Sequence, residues 1–210
     1  MPVPSPNFDL YLVTDRKQTQ GRDLLWVLEQ ALEGGVKSIQ LREKDLSGKD
    51  LFDLAAKTRE LCWRYDALLF INDRVDVALA VDADGVQLGK ASIPIKHVRQ
   101  LLGPLKIIGA STHSLLESQE AEQSGADFIL FGSVYFTPSK ASYGAPQGLE
   151  ALKKIVEKIS LPVYAIGGIN SSNIGNTRGT GIRGVALISA IVSAENPKTA
   201  TQEILNLLSR

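Results

Sequence analysis

Eight short apolar runs, each followed at once by glycine or polar residues, set the narrowest limit on what this chain can fold into. Tyr11-Leu12-Val13 leads to Thr14-Asp15-Arg16, Ile39-Gln40-Leu41 to Arg42-Glu43-Lys44, and Leu68-Leu69-Phe70-Ile71 to Asn72-Asp73. Gly85-Val86-Gln87-Leu88 runs into Gly89, Ile107-Ile108-Gly109-Ala110 into Ser111-Thr112-His113, and Phe128-Ile129-Leu130-Phe131 into Gly132-Ser133. The last two are Val163-Tyr164-Ala165-Ile166 before Gly167-Gly168, and Gly184-Val185-Ala186-Leu187-Ile188 before Ser189. Short continuous apolar runs are the pattern of strands buried on both faces, as in parallel sheets. The stretches between them are long enough for a helix. Eight strand–helix units with reactive residues at the strand ends predict an α/β fold, a single (β/α)8 TIM barrel with its active site at the C-terminal ends of the strands.

The size agrees with one barrel and excludes a second domain beside it. The chain has 210 residues, at the lower end for this architecture. Residues 1–210 therefore read as one domain, with 1–7 as an N-terminal arm that either closes the barrel bottom or hangs free. Lys+Arg and Asp+Glu are equal at 23 each, so no global field recruits nucleic acid or a membrane, and anion binding has to come from local charge. The single cysteine, Cys62, rules out an internal disulfide and reads as a core thiol in a helix. No basic, apolar leader opens the chain and no apolar run approaches the ~20 residues of a membrane span. The expected location is cytoplasmic.

Helix punctuation falls between the runs. Leu24 to Leu32 has an apolar face and stops at Gly34-Gly35. Ser114 with Glu117 makes a capping box, and Gly125 closes that helix. Pro94 opens one helix, Gly148 precedes another, and Asn196-Pro197 starts the last. The stretch Gly132 to Gly148 has no periodicity and carries Tyr135, Thr137, Pro138, Ser139, Lys140 and Tyr143-Gly144. A loop of that length with hydroxyls and a lysine reads as a lid over the mouth.

Chemistry is concentrated at the run ends. Gly167-Gly168 and Ile188-Ser189 each precede a helix start, where backbone N–H groups and the helix dipole favour a phosphate. Period-two alternation aims Gln40, Arg42 and Lys44 to one side, where two cations and an amide suit a phosphate or diphosphate; Glu43 pairing locally is the alternative. Asn72-Asp73 offers either a magnesium ligand or a helix cap. Of the two histidines, His97 falls in a surface helix, which leaves His113 as the candidate general base.

These motifs in this order resemble the family of thiamine phosphate synthases and the related thiazole tautomerases. The resemblance runs from Tyr11 to Ile191 and rests on Gln40-Leu41-Arg42-Glu43-Lys44, Asn72-Asp73-Arg74, Ala83 to Gly89, Ser111-Thr112-His113, Gly148-Leu149-Glu150 and Gly167-Gly168-Ile169. It implies thiamine biosynthesis on a phosphorylated thiazole. A synthase would use Gln40, Arg42 and Lys44 for a pyrimidine diphosphate, supported by Asn72, with Asp73 on magnesium. Ser111, Thr137, Ser139 and Lys140 would hold diphosphate or thiazole phosphate, and Gly168, Ile188 and Ser189 would donate N–H groups.

One position departs from the synthase pattern. Where an aspartate would be the second magnesium ligand, the chain has Ser92, with Lys90 close by. The tautomerase branch uses no metal and shifts a proton on thiazole carboxylate phosphate through a histidine matching His113. The sequence thus favours a tautomerase without cofactor. The alternative is a magnesium-dependent synthase joining the pyrimidine diphosphate to thiazole phosphate, and the third reading is a non-catalytic metabolite-binding regulator. Whether the chain assembles with copies of itself is left open.

Overall fold

The structure, a computed structural model, describes residues 6–137 and 145–209. Eight parallel strands close into a barrel in chain order. They are β1 (Leu10–Val13), β2 (Ser38–Leu41), β3 (Leu68–Asn72), β4 (Gly85–Leu88), β5 (Ile107–Thr112), β6 (Phe128–Gly132), β7 (Val163–Ile166) and β8 (Gly184–Leu187). Closure is made by β1 on β8, with Leu10 opposite Val185 and Leu12 opposite Leu187. Each expected run is a strand, shifted by two residues at most.

The helices are α1 (Leu24–Glu33), α2 (Gly48–Arg64), α3 (Val75–Ala80), α4 (Ile95–Leu102), α5 (Leu115–Gln123), α6 (Gly148–Lys158), α7 (Ile174–Arg178), α8 (Ser189–Val192) and α9 (Pro197–Leu208). Caps define their starts. Asp23 accepts from the Trp26 N–H, Ser47 from Asp50, Ser114 from Glu117, and Asn196 from Thr199 with Pro197 in the first turn. No described helix is long and apolar enough to cross a membrane.

Alternation along the strands divides the apolar residues into two cores. Ile39, Leu41, Leu69, Ile71, Val86 and Leu88 face the helices, where the buried stripe of α1 (Leu24, Val27, Leu28, Ala31, Leu32) covers its share. Tyr11, Val13, Phe70, Ile107, Phe128, Leu130, Tyr164 and Ala186 fill the barrel interior together with Phe8. The rings meet mostly edge to face, as with Phe70 and Phe128 at 5.7 Å, an arrangement favoured by the aromatic quadrupole. Phe8 stacks on Tyr164 at 4.6 Å, and the Tyr164 hydroxyl donates to the carbonyls of Pro6 and Phe8, both at 3.0 Å. Cys62 is buried in the outer core, and burial pushes its thiol up to about 12, which makes it a packing group rather than a nucleophile.

Two part-buried ionic clasps tie helices to strand starts. Asp84, just before β4, accepts from the Leu69 N–H at 2.7 Å and from Arg59 of α2 at 2.5 Å. Asp127, just before β6, accepts from the Ile108 N–H at 2.6 Å and from Arg99 of α4 at 2.6 Å. The Arg59 side chain is 5% exposed, so it has little water to fall back on. Asp84→Asn keeps the shape and removes the charge, and should cost about 1–3 kcal/mol. Urea unfolding reads this directly; an unchanged midpoint would show that the clasp contributes nothing net.

Candidate active site

Because all eight strands are parallel, their C-terminal ends open at one mouth, and the sequence after each strand decides what that mouth presents. At the end of β2, Gln40 is buried inside the barrel while Ile39 and Leu41 face outward. Glu43 is the pivot of the segment that follows. Its carboxylate is 3% exposed and accepts from the Thr14 hydroxyl at 2.7 Å, the Arg16 N–H at 3.1 Å and the Arg16 guanidinium at 3.0 Å. The Thr14 oxygen in turn accepts from the Arg42 N–H at 2.9 Å. Arg16 reaches on to Asp45, at 2.6 Å and 3.0 Å. The Asp45 and Glu43 carboxylates raise the Arg16 guanidinium far above its ordinary value, and Arg16 with Lys17 holds the Asp45 carboxyl well below its own.

That network settles how the segment is wired. Glu43 pairs across to the end of β1, not with its neighbours, so the local-pairing alternative does not hold. The side chains of half-buried Arg42 and exposed Lys44 have no hydrogen bond or ion pair among the described residues.

At the end of β3 the cap reading fails. The residue capping α3 is Arg74, without a side-chain cap bond, and neither the Asn72 nor the Asp73 side chain has a hydrogen bond among the described residues. Asp73 is exposed and takes a left-handed φ of 65°, which aspartate tolerates better than most residues. Asn72 lies directly opposite Gln87 in the β3–β4 register.

After β4, Ser92 closes a turn. Its hydroxyl accepts from the Gly89 N–H at 2.8 Å, and its own N–H donates to the Gly89 carbonyl at 3.1 Å. Lys90 reaches Glu117 at 3.4 Å. After β5, Ser111 is half-buried and its hydroxyl accepts from the Gln87 amide at 3.1 Å. His113 is exposed at the rim. Its N–H donates to Glu117 Oε2 at 2.8 Å, and its Nδ1 lies 3.2 Å from the same oxygen. The expected capping box is therefore displaced by one residue: Ser114 caps α5, but Glu117 reaches back to His113. Burial works to raise the Glu117 carboxyl, and the His113 N–H, its imidazole and Lys90 outweigh it and hold the group below the ordinary range.

Of the loop after β6, Thr137 is described and half-buried; Ser139 and Lys140, with Pro138, Tyr143 and Gly144, lie outside the described residues. The lid expectation falls there too. At the end of β7, Gly168 has φ 67°, and a Cβ on it would lie 2.7 Å from the Phe136 carbonyl oxygen and from Tyr135. Only glycine fits there. The helix start expected after Gly167-Gly168 comes only at Ile174, because Asn170, Ser172 and Asn173 first form a hydrogen-bonded turn. β7 and β8 pair as far as Ile166 opposite Ala186, so Gly167-Gly168 and Ile188-Ser189 follow the ends of neighbouring strands, with Ser189 opening α8. The first N–H groups of such a helix have no intrahelical partner.

Sequence reasoning passed over Gln87. The signal was a single polar residue inside the β4 run, at the interior-facing position.

For metal, the donors are sparse: no group of three His, Cys, Asp or Glu side chains suited to an ion occurs among the described residues. Asp73 is one available carboxylate, and the Ser92 hydroxyl is already engaged. Magnesium usually keeps several waters and is held by one or two carboxylates plus substrate phosphates. The residues thus fit a magnesium that arrives on a diphosphate, with Asp73 as its protein ligand, and do not fit a resident ion.

Arg42 and Lys44, without a side-chain partner among the described residues, the Ser111 hydroxyl and the glycine-bearing ends of β7 and β8 all follow strands of one parallel (β/α)8 barrel. The chain belongs to the thiamine monophosphate synthase family, whose profile matches residues 10–191. A thiamine-phosphate synthase of Clostridium novyi is 42% identical over 96% of this chain and 98% of its own length. One from Pyrococcus abyssi is 45% identical over 95% of this chain and 94% of its own. The solved structure of a thiamine phosphate pyrophosphorylase from Pyrococcus furiosus superposes with a TM-score of 0.88 at 44% identity, covering 97% of this chain and 96% of that one. A 3-hexulose-6-phosphate synthase at 18% identity and TM-score 0.68 shares the fold alone. The protein is thus an enzyme of a thiamine-biosynthesis family, and relatives named as synthases favour the synthase alternative over the tautomerase that the sequence preferred.

Proposed function

We propose that the protein is a thiamine phosphate synthase, which joins hydroxymethylpyrimidine diphosphate to thiazole phosphate and releases pyrophosphate. The observation that carries this is full-length identity of 42–45% to proteins named for that activity. The wiring of the mouth supports it, since Glu43 ties down the backbone of its segment while Arg42 and Lys44 stay available to an anion.

In this reading the bond between the pyrimidine methylene carbon and the diphosphate oxygen breaks, and its electron pair leaves on the diphosphate. The thiazole nitrogen lone pair then forms the new carbon–nitrogen bond. Arg42 and Lys44 are cations placed where negative charge grows on the leaving group, the type of contact that accelerates such a step most. Gln40 and Asn72 orient the pyrimidine, and Ser111 donates to the diphosphate. The N–H groups at Gly168, Ile188 and Ser189 take the thiazole phosphate. Thr137 offers a further hydroxyl to the anion; Ser139 and Lys140, which the family resemblance assigns to the same task, lie outside the described residues. Magnesium, when bound, neutralises diphosphate charge, with Asp73 as its protein ligand. A reaction between small phosphorylated metabolites needs no membrane or nucleic acid, and the reading keeps it in the cytoplasm.

Tautomerisation stays as a second reading because the position of the second metal ligand is Ser92, engaged in its turn. A paired assay on the purified protein decides. One arm supplies the pyrimidine diphosphate, thiazole phosphate and magnesium; the other supplies the non-aromatic thiazole carboxylate phosphate without metal. Pyrophosphate release in the first arm is the expected result, and His113→Gln should leave it within about threefold, because the ring is committed to Glu117 at the rim. Aromatisation in the metal-free arm that His113→Gln abolishes, with no pyrophosphate released, would make the protein a tautomerase.

A further inference from the structure

Gln87 is 2% exposed, on the inner face of β4, and has an arrangement that the assigned substrate contacts do not explain. Its Nε2 donates to Ser111 Oγ at 3.1 Å, while its carbonyl oxygen is buried without any hydrogen-bond partner. That oxygen lies over Gly109 of the next strand, where a Cβ would come within 2.3 Å of it. Gln87 and Gly109 are direct partners in the β4–β5 register, so the missing side chain of one strand makes room for the amide of the other. An unsatisfied buried acceptor is costly, and such a cost persists where it serves something else.

A serine hydroxyl has one hydrogen and two lone pairs. By donating to Ser111, Gln87 occupies a lone pair and leaves the hydroxyl hydrogen to point elsewhere. Gln87 covers Ser111 from inside the barrel, and Ser111 is half-buried, so the open side is the mouth. With the amide reversed, Gln87 would draw the hydroxyl hydrogen inward and present lone pairs to an incoming anion. It would also leave an NH2 group, with two hydrogens to place, where a carbonyl with none now lies.

We propose that Gln87 is a positioning residue for anion binding: it sets Ser111 as a hydrogen-bond donor toward the diphosphate, in a space that Gly109 leaves open. This rests on the synthase reading for the identity of the anion. Gln87 need not touch substrate; it acts through the hydroxyl.

A double-mutant cycle tests it, with inorganic pyrophosphate binding by calorimetry as the readout and synthase KM and kcat beside it. The variants are Gln87→Met, Ser111→Ala and the two combined. Gln87→Met should weaken pyrophosphate binding about tenfold when Ser111 is present and leave it unchanged in the Ser111→Ala background. In turnover the loss should fall on KM for the pyrimidine diphosphate. Stability should go the other way, since methionine removes an unpaired buried oxygen, so the melting temperature should hold or rise. A residue that merely packs would give equal losses in both backgrounds and a lower melting temperature, and that result overturns the proposal. Should Gln87→Met fail to fold, the role is structural and the proposal falls. Wild-type protein that binds pyrophosphate but forms no thiamine phosphate would sink the synthase reading alone, with the coupling still measured. Absence of pyrophosphate binding by wild-type protein would overturn both.

Discussion

Glu43→Ala should lower both stability and activity, by amounts that a surface charge change would not approach. The carboxylate is buried and takes three donors, from the Thr14 hydroxyl, the Arg16 N–H and the Arg16 guanidinium. Alanine strands all three. Thr14 is fully buried and has no water to turn to, whereas Arg16 keeps Asp45 and partial solvent access. The expected cost is therefore about 2–4 kcal/mol, below the upper range for orphaning a fully buried charge. Urea or thermal unfolding measures it, and a midpoint equal to wild type would refute the keystone role.

The activity loss follows from the same bonds. Thr14 fixes the Arg42 N–H, and Glu43 fixes Thr14, so without the carboxylate the backbone that aims Arg42 and Lys44 is released. KM for the pyrimidine diphosphate should rise at least tenfold, since misplacement of an anion-binding group by about 1 Å is enough for losses of that order or more. Glu43→Gln retains an acceptor for Thr14 and should keep most of the activity while losing the ion pair. The neighbouring Arg16–Asp45 pair adds a pH signature: the Asp45 carboxyl is depressed, so its contribution is present at neutral pH and fades as pH falls through its lowered value.

The barrel itself was legible because its signal is local. A strand buried on both faces has to be apolar throughout, so each run marks its own strand, and caps such as Asn196-Pro197 and Ser114 mark helix starts. What could not be read is who pairs with whom across the barrel. Nothing near Glu43 in sequence announces Arg16, 27 positions earlier, and proximity suggested a local partner instead. The setting of Gln87 was hidden for a related reason: one polar residue in a strand does not say that a glycine on the next strand receives it. His113 stood out through its rarity, yet rarity says nothing about Glu117 taking up the ring. The choice between synthase and tautomerase turned on Ser92 and on His113 as base, and the sequence cannot tell a lost ligand from a hydroxyl closing a turn. Relatives of known name carried more weight than those two positions.

Gly109→Val should prevent folding altogether. Gly109 faces the barrel interior, where a first side-chain carbon would lie 2.3 Å from the Gln87 oxygen and 2.4 Å and 2.7 Å from two atoms of the Phe128 ring. Real carbon atoms do not approach that closely, so something has to move. Phe128 cannot easily do so, because it is fully buried and touches Phe8, Tyr11, Phe70 and Tyr164 in one aromatic cluster. Gln87 can swing only by giving up Ser111. Overpacking of a tight core costs about 1–3 kcal/mol per modest insertion and more where backbone has to shift. Alanine, with one carbon, should fall at the top of that range, and valine, with two further methyls aimed into the same rings, should exceed the 5–15 kcal/mol that stabilises a typical domain once the aromatic cluster is forced apart. The test is soluble expression with circular dichroism for both variants. Phe128→Leu added to Gly109→Ala should restore part of the loss by vacating the ring, which distinguishes a packing clash from damage to the strand. If Gly109→Val yields a protein melting within a few degrees of wild type, the barrel interior is far looser than these contacts require.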